Sequence, residues 1–141
     1  MSCVLRASGV DFDVDAFLAT CELEPIAVFR KGEPRFPASQ PEGPRNQGSA
    51  VNFEASGAAF SELELQMKEA LEFVREHQGF ITTLREFPGV EDVTLDFGAE
   101  IHPPGWQSFH FGSELLLVFG TLGISLKLSV YPVEEENAEP A

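Results

Sequence analysis

The sequence lacks the short motifs by which many nucleotide-binding and hydrolytic proteins are recognised. It contains no Gly-x-x-x-x-Gly-Lys loop and no Gly-x-Gly-x-x-Gly turn, the patterns that hold phosphate groups. The Gly-x-Ser-x-Gly nucleophile elbow and the His-Glu-x-x-His zinc pattern are also missing. Because the chain contains none of these motifs, the sequence predicts a protein that is not an enzyme and has no cofactor.

Basic residues and cysteines are scarce. The chain has 9 Lys and Arg against 23 Asp and Glu, a formal net charge of −14. Such a surface repels phosphate backbones, which argues against nucleic-acid binding, and it is complementary to a basic protein partner. The two cysteines, Cys3 and Cys21, occupy apolar positions without a Cys-x-x-Cys pattern. With no visible signal peptide, this predicts a reduced, cytoplasmic protein.

No apolar run is long enough to predict a membrane span. The most apolar stretch, residues 111–131, is interrupted by Gly120 and Gly123 and reaches Lys127, whereas a span needs about 20 apolar residues. Its first part predicts a helix with Ser113 as N-cap, covered by other elements. After Gly123 the alternating pattern predicts a strand. We expect this strand to lie well inside a sheet, with Lys127 on the more solvated face.

The aromatic residues that are present suit a protein core. Phe occurs 13 times, against one Trp and one Tyr, in a chain of 141 residues. Phe has no polar group, so this content is typical of a buried core and not of a surface that stacks bases. The length predicts one α+β domain over residues 1–133. Residues 134–141 carry four Glu residues and are predicted to form an acidic, disordered tail.

Hydrophobic periodicity predicts the order of the main elements. One helix is expected to begin at the N-cap Asp13. A second is expected to begin at Ser61, which can form a capping box with Glu64. Phe60 and Leu65 can form a hydrophobic staple at the same helix start. Strands are expected at residues 3–8, 26–30, 49–56 and 93–97. A short helix is also expected at residues 80–87, and a short strand at residues 109–111.

The first six of these elements match the β-α-β-β-α-β order of ferredoxin-like folds. The C-terminal (β)-α-β unit would extend that core. We therefore predict a single mixed, largely antiparallel sheet with the helices mainly on one face.

Residues 31–48 are predicted to form a long irregular loop, because they contain Pro34, Pro37, Pro41 and Pro44. Two interpretations of this segment stay open. It is either a solvated connection or a binding loop that brings local positive charge to an acidic surface. The basic residues that would act in the binding loop are Arg30, Lys31, Arg35 and Arg45.

A second irregular loop is predicted at residues 99–106. Its Trp106 could be an exposed anchor for a partner or a lid folded over the core. Carboxylates and imidazoles near this loop could bind a divalent metal, although their spacing matches no known motif and favours solvated loop side chains. These four candidate metal ligands are Asp96, Glu100, His102 and His110.

Three segments resemble a family of small uncharacterised bacterial proteins, a domain of unknown function. They are residues 23–25 (Leu-Glu-Pro), 31–33 (Lys-Gly-Glu) and the terminal helix and strand at 113–131. The chain departs from the family pattern at Ala50 and Val51, where a Trp is expected. The resemblance implies a compact α+β fold and a bacterial source, and it supplies no catalytic residues. Immunity proteins against secreted toxins are an analogy at the level of fold only.

Three functions therefore remain open at this point. The first is a non-enzymatic, immunity-like module that binds a basic protein partner through charge complementarity. The second is a domain that binds a small ligand or a divalent metal through residues 96–110. The third is a structural homodimer subunit that exposes a sheet edge or an apolar face.

Overall fold

The computed structural model describes residues 2–133, and the predicted acidic tail lies outside them. The elements in chain order are β1 (Cys3–Gly9), α1 (Val14–Leu18), β2 (Ala27–Phe29), β3 (Pro34–Phe36), β4 (Gln40–Arg45), β5 (Ser49–Ser56), α2 (Leu63–Glu76), α3 (Gln78–Glu86), β6 (Asp92–Ile101), α4 (Ser113–Thr121) and β7 (Ser125–Pro132). No helix among these residues is long and apolar enough to cross a membrane.

The main sheet has five strands in the order β2-β5-β1-β6-β7. Strand β1 pairs antiparallel with both β5 and β6, and β2 pairs antiparallel with β5. Strands β6 and β7 are parallel neighbours, connected by a crossover that contains α4. The prediction of an α+β protein with a mixed, largely antiparallel sheet is confirmed.

The C-terminal α4–β7 unit adds β7 beside β6, at the edge of the main sheet. The sheet arrangement differs from the prediction in one respect: it is not a single sheet, because β3 and β4 pair with each other in a separate two-stranded sheet.

This hairpin replaces the irregular loop predicted at residues 31–48. Proline is tolerated here because each strand of a two-stranded ribbon is an edge strand and needs few backbone donors. The base of the hairpin is closed by two backbone bonds, from Gly32 N to Asn46 O (2.9 Å) and from Asn46 N to Glu33 O (2.9 Å). Gly32 adopts a φ of +86°, which a residue with a side chain rarely adopts.

The core lies between the helices and one face of the main sheet. Alternation along β1, β5 and β6 directs one set of side chains to this face, where they are fully or almost fully buried: Cys3, Leu5, Ala7, Val51, Phe53, Val93, Leu95 and Phe97. Phe80 of α3 packs edge-on against Phe53, with ring centroids 5.1 Å apart. Phe17 of α1 contacts the same Phe80 ring at 5.9 Å. The opposite face of the sheet is called the open face below.

One polar side chain is completely buried in this core. Gln66 of α2 donates two hydrogen bonds, to Gly98 O (2.8 Å) and Ala59 O (2.9 Å). Its Oε1 accepts one from Gly98 N at 3.1 Å. These bonds connect α2 to β6, and they satisfy the amide, which would be costly to bury unpaired.

The predicted N-caps of α2 and α4, Ser61 and Ser113, differ from the observed ones, Glu62 and Gly112. Glu62 occupies the N-cap position of α2 and forms no side-chain capping bond, so the predicted capping box is wrong. Phe60 stacks on Tyr131, with ring centroids 4.7 Å apart. It can do so because Gly98 has no side chain. A Cβ at Gly98 would lie 2.4 Å from the Phe60 ring.

The C-terminal helix and strand are less buried than their hydropathy predicts. In α4, Leu115 and Phe119 are buried, but Leu116 and Leu117 are 49% and 70% exposed. Strand β7 lies at the edge of the main sheet and not inside it. The predictions that the helix is covered by other elements and that the strand lies well inside the sheet are therefore wrong. An element at the edge of the fold is covered on only one side. The predicted strand at 109–111 is also not formed.

Candidate functional site

Three of the four predicted basic residues are engaged within the chain. Arg30 is paired with Asp15 at 2.8 Å, and this hydrogen-bonded contact lowers the pKa of the Asp15 carboxyl and raises that of Arg30. Lys31 lies 4.0 Å from Asp11, and Arg45 donates to Gly32 O at 3.0 Å. The Arg30 and Lys31 contacts connect the base of the hairpin to α1 and the turn before it. The Arg45 bond is internal to the hairpin, and its carbonyl acceptor leaves the Arg45 charge unneutralised.

Arg35 of β3 is different, because its side chain forms no hydrogen bond or ion pair with any residue from 2 to 133. It lines a cavity of about 390 Å³ between the hairpin and the open face of the main sheet. Arg6 of β1 lines the same cavity. Arg6 is not among the site residues predicted from the sequence, although the alternation of β1 places it on the face opposite to Leu5.

Two contacts hold the Arg6 side chain in place. Its guanidinium group lies over the Phe29 ring, 5.1 Å from the centroid, in a cation–π arrangement. Its Nη1 donates to Asn52 Oδ1 at 3.3 Å. Phe29 lies on β2 and Asn52 on β5, so the position of Arg6 depends on the pairing of both β1 and β2 with β5.

The second predicted loop places Trp106 in full contact with solvent. Of the two interpretations, the exposed position is therefore the observed one, and Trp106 is not a lid over the core. The loop is ordered by local hydrogen bonds, from His102 N to Gln107 Oε1 at 2.7 Å and from Gly105 N to His102 O at 3.3 Å. An indole exposed in this way is a common anchor at protein interfaces.

An apolar groove of about 580 Å³ lies between α2 and residues 108–115, the segment that follows this loop in the chain. Carboxylates of Glu64 and Glu114 and the ammonium group of Lys68 lie along it. Glu114 is paired with Arg75 at 2.7 Å. The apolar lining consists of Leu63, Met67, Leu71, Phe109 and Leu115.

The structure does not bring the four predicted metal ligands together. Glu100 and His102 approach to 3.6 Å. Asp96 accepts a hydrogen bond from Ser129 on the open face at 2.8 Å, and His110 lies in the α2 groove. Within residues 2–133, no three His, Cys, Asp or Glu side chains are grouped so that they could hold one metal ion.

Neither cysteine is activated as a nucleophile. Burial, and then the negative charge of Asp96, raises the pKa of the Cys3 thiol far above its usual value. Burial also raises the pKa of Cys21, whose thiol donates to Leu23 O at 3.1 Å. Both side chains are therefore thiols and not thiolates at neutral pH.

Comparison with known proteins identifies no relative: no family model matches the chain, and no curated protein or solved structure is significantly similar to it. The resemblance to a bacterial family of unknown function stays a prediction. The function must therefore be argued from the geometry of this chain alone.

Proposed function

We propose that the protein is a non-enzymatic, immunity-like module that binds a basic protein partner. The observation that carries the proposal is the complete exposure of Trp106. Leaving a Trp side chain in water forgoes the gain from burying it, and Trp is strongly enriched among residues that dominate binding energy. A bacterial source and a cytoplasmic location are part of the same proposal.

The partner would contact Trp106 and the apolar groove formed by α2 and residues 108–115. Apolar side chains of α2 and Phe109 line this groove, and Glu64 forms no ion pair with a described residue. A segment with an apolar side chain flanked by Lys or Arg would match both properties. The net charge of −14 would increase the rate of encounter with such a partner and make binding depend on salt.

The test uses the immobilised protein and an extract of its source organism at 50 and 500 mM NaCl, with Trp106→Ala and Phe36→Ala compared to the unchanged protein. Phe36 is a matched control, because it is an exposed aromatic residue on the hairpin. We expect a basic protein to be retained by the unchanged protein and by Phe36→Ala, and to be lost from Trp106→Ala. Its dissociation constant should rise by about 30-fold or more in Trp106→Ala, as at interface hot spots.

The proposal is contradicted if no retained protein distinguishes Trp106→Ala from Phe36→Ala. It is also contradicted if the retained protein is acidic and stays bound at 500 mM NaCl. Either outcome would mean that the exposed indole and the acidic surface do not act together.

A second candidate function is self-association, favoured by the exposed edge of β7. Within the described residues β7 pairs only with β6, and such an edge can pair with a second copy about a two-fold axis. Leu116 and Leu117 on the adjacent α4 would be covered in the same contact. Sedimentation at several concentrations should then show a dimer that Leu117→Glu disrupts. A monomer at every concentration would eliminate this candidate.

The proposal also includes a ferredoxin-like core. Support comes from the strands β2, β5, β1 and β6, which are neighbours in that order and alternate in direction. The hairpin and the α4–β7 unit are then additions to that core.

A further inference from the structure

The cavity under the hairpin lies at the opposite end of β6 from the Trp106 loop. It is bordered by the last residues of β1 and by Glu91, next to the first residue of β6, whereas the Trp106 loop follows the last residue of that strand. The cavity is therefore separate from the proposed protein-binding groove. It also differs from the region 96–110 in which the sequence predicts a small-ligand site.

The cavity carries positive charge in a protein that is otherwise strongly acidic. Two guanidinium groups line it, those of Arg6 and Arg35, against a single carboxylate, that of Glu91. The Glu91 carboxylate accepts a hydrogen bond from Val10 N at 2.8 Å. The charge of this carboxylate remains, but it forms no ion pair with Arg6 or Arg35 among the described residues, so the two arginines outnumber it in the cavity.

Most of the donors in the cavity are unused. A guanidinium group has five N–H donors. The Arg6 group donates one hydrogen bond, to Asn52, and Arg35 donates none to any described residue. The side chains of Ser8 and Gln47 also line the cavity without a hydrogen bond to residues 2–133.

The walls that hold these donors are fixed by close backbone contacts. A Cβ at Gly48 would lie 2.7 Å from Gly9 O, so only glycine lets this segment approach the end of β1 so closely. Asn46 Nδ2 donates to Arg30 O at 3.0 Å, and Ser49 Oγ accepts from Lys31 N at 3.0 Å. The hairpin is thus held over the open face of the sheet, and the cavity exists before any ligand binds.

We propose that this cavity binds a small organic or inorganic anion, whose carboxylate or phosphate group lies between Arg6 and Arg35. The planar fork of an arginine matches both groups through paired N–H···O bonds. Because Arg6 is already held over Phe29, little of its side-chain freedom remains to be lost on binding. Ser8 and Gln47 supply further donors for the body of the ligand.

The experiment titrates ¹⁵N-labelled protein with sodium phosphate and, separately, with sodium succinate, at constant ionic strength maintained with NaCl. We expect saturable shifts of the backbone amide signals of Gly9 and Gly48 with at least one of the two anions. The variant Arg35→Gln should weaken this binding about tenfold or more, since a charge-assisted bond is lost. The matched control Arg75→Gln removes an arginine far from the cavity and should bind like the unchanged protein.

Arg35→Gln should fold normally, because Arg35 is exposed and without polar contacts among the described residues. Arg6→Lys serves as a second variant, which keeps the charge but loses the planar fork, and it should also bind more weakly. Shifts that are absent, or that grow linearly and equally in all variants, would overturn the proposal. Equal weakening in Arg75→Gln would mean that only the net charge matters, which would also overturn it.

Discussion

Strands β1 and β7 have similar sequence patterns and very different surroundings. Apolar and polar residues alternate from Leu5 to Ser8 in β1 and from Ser125 to Val130 in β7. In β1 the inward side chains of Cys3 and Leu5 are completely buried. In β7 the inward side chains of Leu126 and Leu128 are only half-buried, and Val130 is 44% exposed.

The difference comes from the position of each strand in the sheet. Strand β1 is central, with β5 on one side and β6 on the other, and the helices cover its inner face. Strand β7 has only β6 as a neighbour among the described strands, and α4 covers it from one side. The burial of an apolar side chain therefore depends on how many elements surround it, and hydropathy alone does not report that number.

The largest expected effect tests this comparison directly. Replacing Leu5 by Ala removes a fully buried side chain, and we expect the free energy of unfolding to fall by about 3 kcal/mol. Replacing Leu128 by Ala, the matched change in β7, should cost about 1 kcal/mol, because that site is already partly hydrated. Urea unfolding followed by circular dichroism measures both, since the exposed Trp106 is a poor fluorescence reporter of core packing.

Equal losses of stability in the two variants would contradict the comparison. They would mean that β7 is covered in solution, for example by a second copy of the chain. Repeating the measurement at several protein concentrations would distinguish that case, because a dimer is stabilised as its concentration rises.

A smaller loss of stability is expected when the buried amide of Gln66 is removed from the core. The change Gln66→Leu keeps a similar volume but leaves Gly98 N and Gly98 O without partners next to β1. We expect a loss of about 2 kcal/mol, the cost of unsatisfied buried polar groups. The control Gln78→Leu, at an exposed position in α3, should change stability by less than about 0.5 kcal/mol. A loss below that limit for Gln66→Leu would show that β6 does not need the bonds.

The rates of thiol labelling at neutral pH compare the starts of β1 and β7 with almost no change in stability. In a Cys21→Ser, Ser125→Cys protein, one thiol lies at the start of β1 and one at the start of β7. Cys3 is buried and its pKa is raised, so iodoacetamide should modify it at least about 100-fold more slowly than the exposed position 125. Mass spectrometry of the two peptides measures both rates in one sample. Similar rates would mean that the start of β1 opens easily.

Several local features were predictable because they depend on short-range physics. The strand predicted at 49–56 has the same bounds as β5, since every second residue from Val51 is apolar. Asp13 was predicted as the N-cap of the first helix, and its Oδ1 accepts from Ala16 N at 3.1 Å. The hairpin at β3 and β4 was not predicted, because its prolines suggest a loop and its pairing is weakly specified by side chains.

The candidate sites were predictable only in part. The sequence singled out Trp106 and Arg35, because a Trp beside prolines and a basic residue in a long connection are unusual in this chain. It missed Arg6, whose partner in the cavity lies 29 positions away along the chain. It also grouped Asp96 with His110, which are close in sequence but lie in different parts of the fold.

The sequence by itself determined the class of the protein. Its periodicity set the strands and helices, and its composition set an aromatic core and an acidic surface, because both depend on local pattern or on totals. Only the tertiary structure decided which strand is central and which is an edge, and which arginines share a cavity. Those outcomes depend on pairings between distant segments, which no short stretch of sequence specifies.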